Sequence, residues 1–142
     1  QNPQITTERF RMNFTALTNA SLAIHIHLAA VALAITLTIA IFYLRKGTSL
    51  HKLCGRIWVA GMAMTALSSF WISTGGFLFG FSFIHLISVY VLVQLFRAIR
   101  AAKLGRIFEH KYAMLSIVWG GLVVAGFLSF LPGRIMFRIF FA

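Results

Sequence analysis

Three long runs of this chain contain no Asp, Glu, Lys or Arg: residues 12–44, 57–96 and 112–133. A helix needs about 20 apolar residues to cross the ~30 Å hydrocarbon layer of a bilayer. The first run therefore holds one membrane helix, over roughly residues 21–44. The second is broken by Ser73-Thr74-Gly75-Gly76, a turn-forming cluster, and reads as two helices folded back on each other. The third holds a last helix ending at Leu131-Pro132-Gly133. Four transmembrane helices are predicted, preceded by an extramembrane segment over residues 1–20.

Composition narrows the function. Of 142 residues 60% are apolar and 11% charged, against about 25% charged in soluble domains. That excludes an ordinary soluble enzyme domain and a disordered chain. The only acids are Glu8 and Glu109, so a paired-carboxylate site is disfavoured. Cys54 is alone, so no internal disulfide forms. Ser68, Ser69 and Ser129 belong to no nucleophile motif and read as helix-packing residues.

The thirteen Lys and Arg report topology. Arg45, Lys46, Lys52 and Arg56 flank the first turn, and Arg97, Arg100, Lys103, Arg106 and Lys111 flank the third. The turn at 73–80 has no charge. By the positive-inside rule both basic turns face the cytoplasm, and both termini face outward. The net charge of +11 then serves topology and attraction to anionic lipid, with no nucleic-acid partner expected. Phe10, Met12, Phe14 and Leu17 suit an interfacial amphipathic segment; a disordered tail is the alternative. The apolar stretch after Arg9 and Arg11 is too long for a signal peptide, and the first residue, Gln1, points to processing or truncation upstream.

An internal repeat organises the rest. Ile26-His27-Leu28 recurs as Ile84-His85-Leu86, 58 positions on, and His51-Lys52 as His110-Lys111, 59 positions on. Arg45-Lys46-Gly47 resembles Lys103-Leu104-Gly105, and Leu67-Ser68-Ser69-Phe70 resembles Phe127-Leu128-Ser129-Phe130. The expected fold is all-α: one membrane domain over 21–142, a pseudo-twofold four-helix bundle of two hairpins, 21–78 and 79–136.

The repeat pairs four of the five histidines: His27 with His85 at one membrane face, and His51 with His110 at the other. His25 is two positions from His27 and points about 200° away on a helix, so only one of them faces the axis, and the repeat selects His27. Two imidazoles can take both axial positions of a haem iron, and bundle cores host such cofactors. Two b-type haems are the resulting expectation. Gly55, Gly61, Gly120, Gly121 and Gly126 leave room for a macrocycle. Propionate partners would be Arg97 and Arg100, with Lys52 and Lys111, at the basic end, and Arg134 at the other.

Each residue also has a plainer reading. Histidines near helix ends sit at interfaces, glycines let helices approach, and arginines snorkel to lipid headgroups. A metal-ion site built on His25, His27 and His85 lacks a carboxylate or thiolate in its layer. A cation or proton transporter would usually carry an intramembrane carboxylate, which this chain lacks. Glu109 beside His110 offers a proton relay toward a quinone, or simply a favourable charge at a helix N-terminus.

Lys46-Gly47-Thr48 with His51, then Gly55, Trp58, Met62 and Ser68-Ser69-Phe70, resembles a family of uncharacterised bacterial membrane proteins known as a domain of unknown function. The likeness continues through Phe81-Ser82-Phe83-Ile84-His85-Leu86 and His110 to Leu131-Pro132-Gly133-Arg134. It implies four membrane helices and no established activity. In layout, the paired histidines also resemble the two-haem cytochrome b561 group, an analogy of arrangement with a different helix count. Two functions follow: a small di-haem electron carrier exchanging electrons with a quinol or external donor, or a cofactor-free accessory subunit of a larger respiratory or photosynthetic membrane complex.

Overall fold

The apolar run after Ser21 forms α1 (Leu22–Tyr43), about 33 Å long at ~1.5 Å per residue. Its buried residues are Ala30 and Ala34, while Leu33, Ile35, Ile39 and Phe42 are exposed. Small residues admit a neighbouring helix, and the large ones are left to face lipid. The structure is a computed structural model that describes residues 18–72, 83–132 and 134–141; the predicted N-terminal segment up to residue 17 and the 73–80 turn lie outside them.

The turn after α1 is closed by side chains and one left-handed residue. Lys46 Nζ donates to the carbonyl oxygens of Ile41 and Phe42, where the helix dipole favours a cation. Gly47 has φ +83°, a conformation that costs other residues about 1–2 kcal/mol. Thr48 then caps α2 (Ser49–Ser69), its Oγ1 accepting the His51 N–H at 3.2 Å. The α1/α2 hairpin is fastened halfway along, where Trp58 Nε1–H donates to Thr38 Oγ1 at 2.7 Å.

α3 (Phe83–Lys103) ends on Gly105, φ +71°. There Arg106 N–H donates to Ala101 O (2.9 Å) and Gly105 N–H to Ala102 O (3.2 Å), the paired bonds of a Schellman stop. α4 (Ile107–Ser129) follows at once, with Glu109 in its first turn, 3.5 Å from Arg106. Both residues are largely solvated, so the pair adds little stability. From Val118 to Val124 the helix widens to π geometry.

Helix pairs α1/α2 and α3/α4 pack as hairpins, α2 lies on α3, and the π segment touches both α3 and α1. The core between them is Ala34, Trp58, Met62, Ala66, Val91, Leu95 and Ile117. The chain is therefore an all-α assembly of packed hairpins. α1, α3 and α4 are long and apolar enough to cross a membrane. The sequence predicts four such helices; α2 matches α3 in length, but His51, Lys52, Arg56, Ser68 and Ser69 lower its hydropathy.

One element is unexpected. α4 stops at Ser129, and after the predicted Leu131-Pro132-Gly133 stop the chain forms a further helix, α5 (Ile135–Phe141). Its Phe140 ring packs 5.8 Å from that of Phe130. Apolar contact with the end of α4 is what lets so short a helix persist.

Candidate functional site

The expected outer pair meets a single turn of α2. Its last residues, Ser68, Ser69 and Phe70, touch three different partners. His27 Nδ1 lies 3.0 Å from Thr65 O and 3.0 Å from Ser68 Oγ. Ser69 Oγ and Ser88 Oγ on α3 are 2.5 Å apart. The Phe70 ring packs against buried His85, centroids 5.5 Å apart. His27 and His85 are thus at one end of the bundle, on either side of the end of α2. His25, by contrast, is exposed and bonds its own helix at Ser21 O, 3.1 Å away.

A carbonyl oxygen only accepts, so the His27 contact to Thr65 O assigns the ring proton to Nδ1 and leaves the neutral ring's Nε2 as a lone pair. His110, at the far end of the bundle, repeats this: its Nδ1 donates to Ala98 O on α3 at 3.0 Å. His51, in the first turn of α2, lies within electrostatic reach of His110 and Lys46, and its enclosed Nδ1 has no hydrogen-bond partner among the described residues. The two ends are separated by most of α2, about 25 Å at ~1.5 Å per residue from His51 to Ser68.

The cationic residues divide. Arg100 is exposed in the last turn of α3, Lys52 and Lys111 are exposed at the starts of α2 and α4, and Arg134 is half-buried before α5. Arg97 reaches Gln94 Oε1 at 3.5 Å and lines a shallow surface groove with Phe108, Glu109 and Tyr112. Phe108 and Tyr112 share one face of α4, and His110, two residues from each, occupies the opposite face. Arg97 therefore opens away from the His51/His110 end-group rather than into it.

The glycines divide as well. A Cβ on Gly120 would sit 2.9 Å from the Tyr90 ring, and one on Gly121 would sit 2.8 Å from Val91 Cγ2. Gly61 faces Ala30 O and Leu33 at 3.8 Å. These three serve helix contact. Gly55, one turn after His51, and Gly126, near the other end of α4, have nothing within 4 Å of an added Cβ. The middle of the bundle is filled, and space beside glycine is left at its two ends.

A haem asks for imidazole lone pairs, anchored ring orientations and clearance. Each end carries two histidines, and of these His27 and His110 are held through Nδ1, as metal-ligating histidines usually are. Among the described residues no three of His, Cys, Asp or Glu converge as a cluster for a bare metal ion. Sequence reasoning missed the polar groups that anchor this arrangement: Thr65, Ser88, buried Gln94 and the Thr38–Trp58 bond. The one readable signal was Gln94, an uncharged amide inside the charge-free run 57–96.

No curated protein and no solved structure matches the chain, so the likeness of layout to the two-haem cytochrome b561 group gains no support from relatives. One family does match, over residues 22–140, from the start of α1 into α5. The chain belongs to the family described as predicted membrane protein (DUF2306).

Proposed function

We propose that the chain is a small membrane-embedded b-type cytochrome that carries electrons between two haems at opposite ends of a pseudo-twofold, four-span bundle. The observation that carries this reading is the matched pair of anchors. His27 and His110, at opposite ends, each donate Nδ1–H to a carbonyl of the neighbouring helix, which leaves the lone pair on Nε2. His85 and His51 are the second ligands of the two ends.

The repeat is supported by backbone as well as sequence. Gly47 and Gly105, 58 positions apart, close equivalent turns with positive φ. Ser69 and Ser129 make the same back-bond, Oγ to the carbonyl three residues earlier, at 2.6 Å each. α2 is the fourth span in this reading, its charged first turns at the interface. The basic turns face the cytoplasm, and the termini lie outside a bacterial inner membrane.

The iron would supply one-electron redox chemistry. The chain's own residues hold and orient: carbonyls of Thr65 and Ala98 fix ring planes, and Gly55 and Gly126 leave clearance. Arg100, Lys52 and Lys111 at one end and Arg134 at the other would be the propionate partners. A quinol is the membrane-soluble donor that suits a carrier of this kind. The second reading, a cofactor-free subunit of a larger membrane complex, is favoured by the filled centre, where Tyr90, Val91 and Met62 occupy the space at Gly120 and Gly121.

The test is an absorption spectrum of the purified protein, oxidised and dithionite-reduced, with haem counted per chain. Two haems, one lost in His27→Ala and the other in His51→Ala, support the proposal with its ligands. A colourless protein from haem-replete cells overturns it, and stoichiometric copurification with a complex then supports the second reading.

A further inference from the structure

Arg97 lacks an anionic partner among the described residues. It sits on α3 six residues before Lys103, about 9 Å inward, in a helix long and apolar enough to span a membrane. Its guanidinium offers five N–H donors, and among the described residues its hydrogen bond is a single long one, 3.5 Å to Gln94 Oε1. Glu109, across the groove, is already engaged by Arg106 at 3.5 Å. A cation at this depth is stable only with a counter-charge or water to receive it.

The groove supplies the rest of a recognition surface. Tyr112 lines the groove together with Arg97, and Phe108, one turn away on α4, is 81% exposed, an apolar flank turned outward. Arg100, Lys103 and Arg106 make the approach strongly positive. Because His110 is on the opposite face of α4, the groove is separate from both histidine pairs and does not depend on the haem reading.

We propose that this groove binds the headgroup of an anionic phospholipid. Arg97 and the Tyr112 hydroxyl hold the phosphate, and Phe108 packs along the acyl chain. Guanidinium and phosphate match in geometry and charge, and an exposed aromatic at the interface suits the glycerol and upper methylenes. Glu109, paired with Arg106, sets the far edge of the site.

The experiment is native mass spectrometry of the protein released from nanodiscs of mixed phosphatidylglycerol and phosphatidylcholine, with each retained lipid counted. The wild-type chain should retain one phosphatidylglycerol in preference to phosphatidylcholine. Arg97→Gln and Tyr112→Phe should each weaken that retention, the arginine change by about tenfold. Arg56→Gln, an exposed base on α2 outside the groove, should leave it intact. Tyr112→Phe alters only a surface hydroxyl, so it tests the site even if Arg97→Gln folds poorly. Equal retention of both lipids, or equal loss with Arg56→Gln, would overturn the proposal in favour of diffuse attraction to the basic end. Loss of bound haem in Arg97→Gln with lipid retention unchanged would overturn it too, assigning the guanidinium to a propionate.

Discussion

His110 Nδ1 lies 3.0 Å from the carbonyl oxygen of Ala98, a bond that ties the first turn of α4 to the last turns of α3. At the same end His51 encloses an Nδ1 with no partner among the described residues, although its backbone N–H is held by Thr48. Two histidines that the repeat makes equivalent thus differ in their bonding: the His110 ring is hydrogen-bonded to the neighbouring helix, and the His51 Nδ1 has no bond among the described residues.

That difference predicts opposite costs in the cofactor-free protein. His110→Ala should destabilise by about 0.5–1.5 kcal/mol, because the α3/α4 seam loses a hydrogen bond and a side chain while Ala98 O keeps its helical donor. His51→Ala should be near neutral, because it removes an unsatisfied nitrogen and leaves the Thr48 cap intact. Unfolding in graded detergent mixtures, followed by circular dichroism, measures both; equal losses would refute the asymmetry.

Gly121 and Gly126 are five residues apart on α4 and should respond in opposite directions to alanine. At Gly121 the new methyl meets Val91 Cγ2 at 2.8 Å and Met62 Cε at 3.2 Å. Met62 can yield at its flexible end, but buried, β-branched Val91 cannot, so the change should cost about 1–3 kcal/mol. At Gly126 the methyl meets nothing, and helix propensity should return about 0.5–1 kcal/mol. Thermal melts of the two variants in one detergent decide the sign of each.

The π segment should tolerate a one-residue deletion but resist an insertion. His51 and Ser69 are 18 residues apart, five turns of α-helix, so they share a face; His110 and Ser129 are 19 apart. A π turn absorbs one extra residue and so restores the alignment. Deleting Val123 should leave an unbroken α-helix with both ends facing as before. Adding one Ala there should rotate the end of α4 by about 100° and lower the melting temperature. Labelling of a cysteine placed at Ser129 reports the rotation: unchanged on deletion, altered on insertion.

Trp58→Phe isolates the bond to Thr38. Thr38 Oγ1 still donates to Ala34 O at 2.7 Å, so no donor is stranded, and the loss should be about 1 kcal/mol. Trp58→Ala also empties a fully buried site and should cost about 3–5 kcal/mol. A double-mutant cycle with Thr38→Val separates the two terms.

What could be read in advance was whatever the bilayer imposes along the chain. Removing charge from water is costly enough that the uncharged runs locate the helices, and α1 begins and ends within a residue of its predicted limits. Helical periodicity likewise separates His25 from His27, because two residues on a helix point to nearly opposite sides. The glycine at each basic turn was visible as a repeat, and its positive φ supplies the reason for it.

Sequence alone determined the limits of α1, the positions of the two basic turns and which residues were candidates, since each follows from local composition and spacing. Tertiary structure decided how the helices are rotated against one another, and rotation assigns every role that spacing leaves open. It put Val91 and Met62 into the gap at Gly121, left space at Gly55 and Gly126, anchored His110 but not His51, and turned Arg97 outward. These are contacts between residues far apart in the chain. They are set by which side chains fill the same volume, a quantity with no signature in any single stretch of sequence.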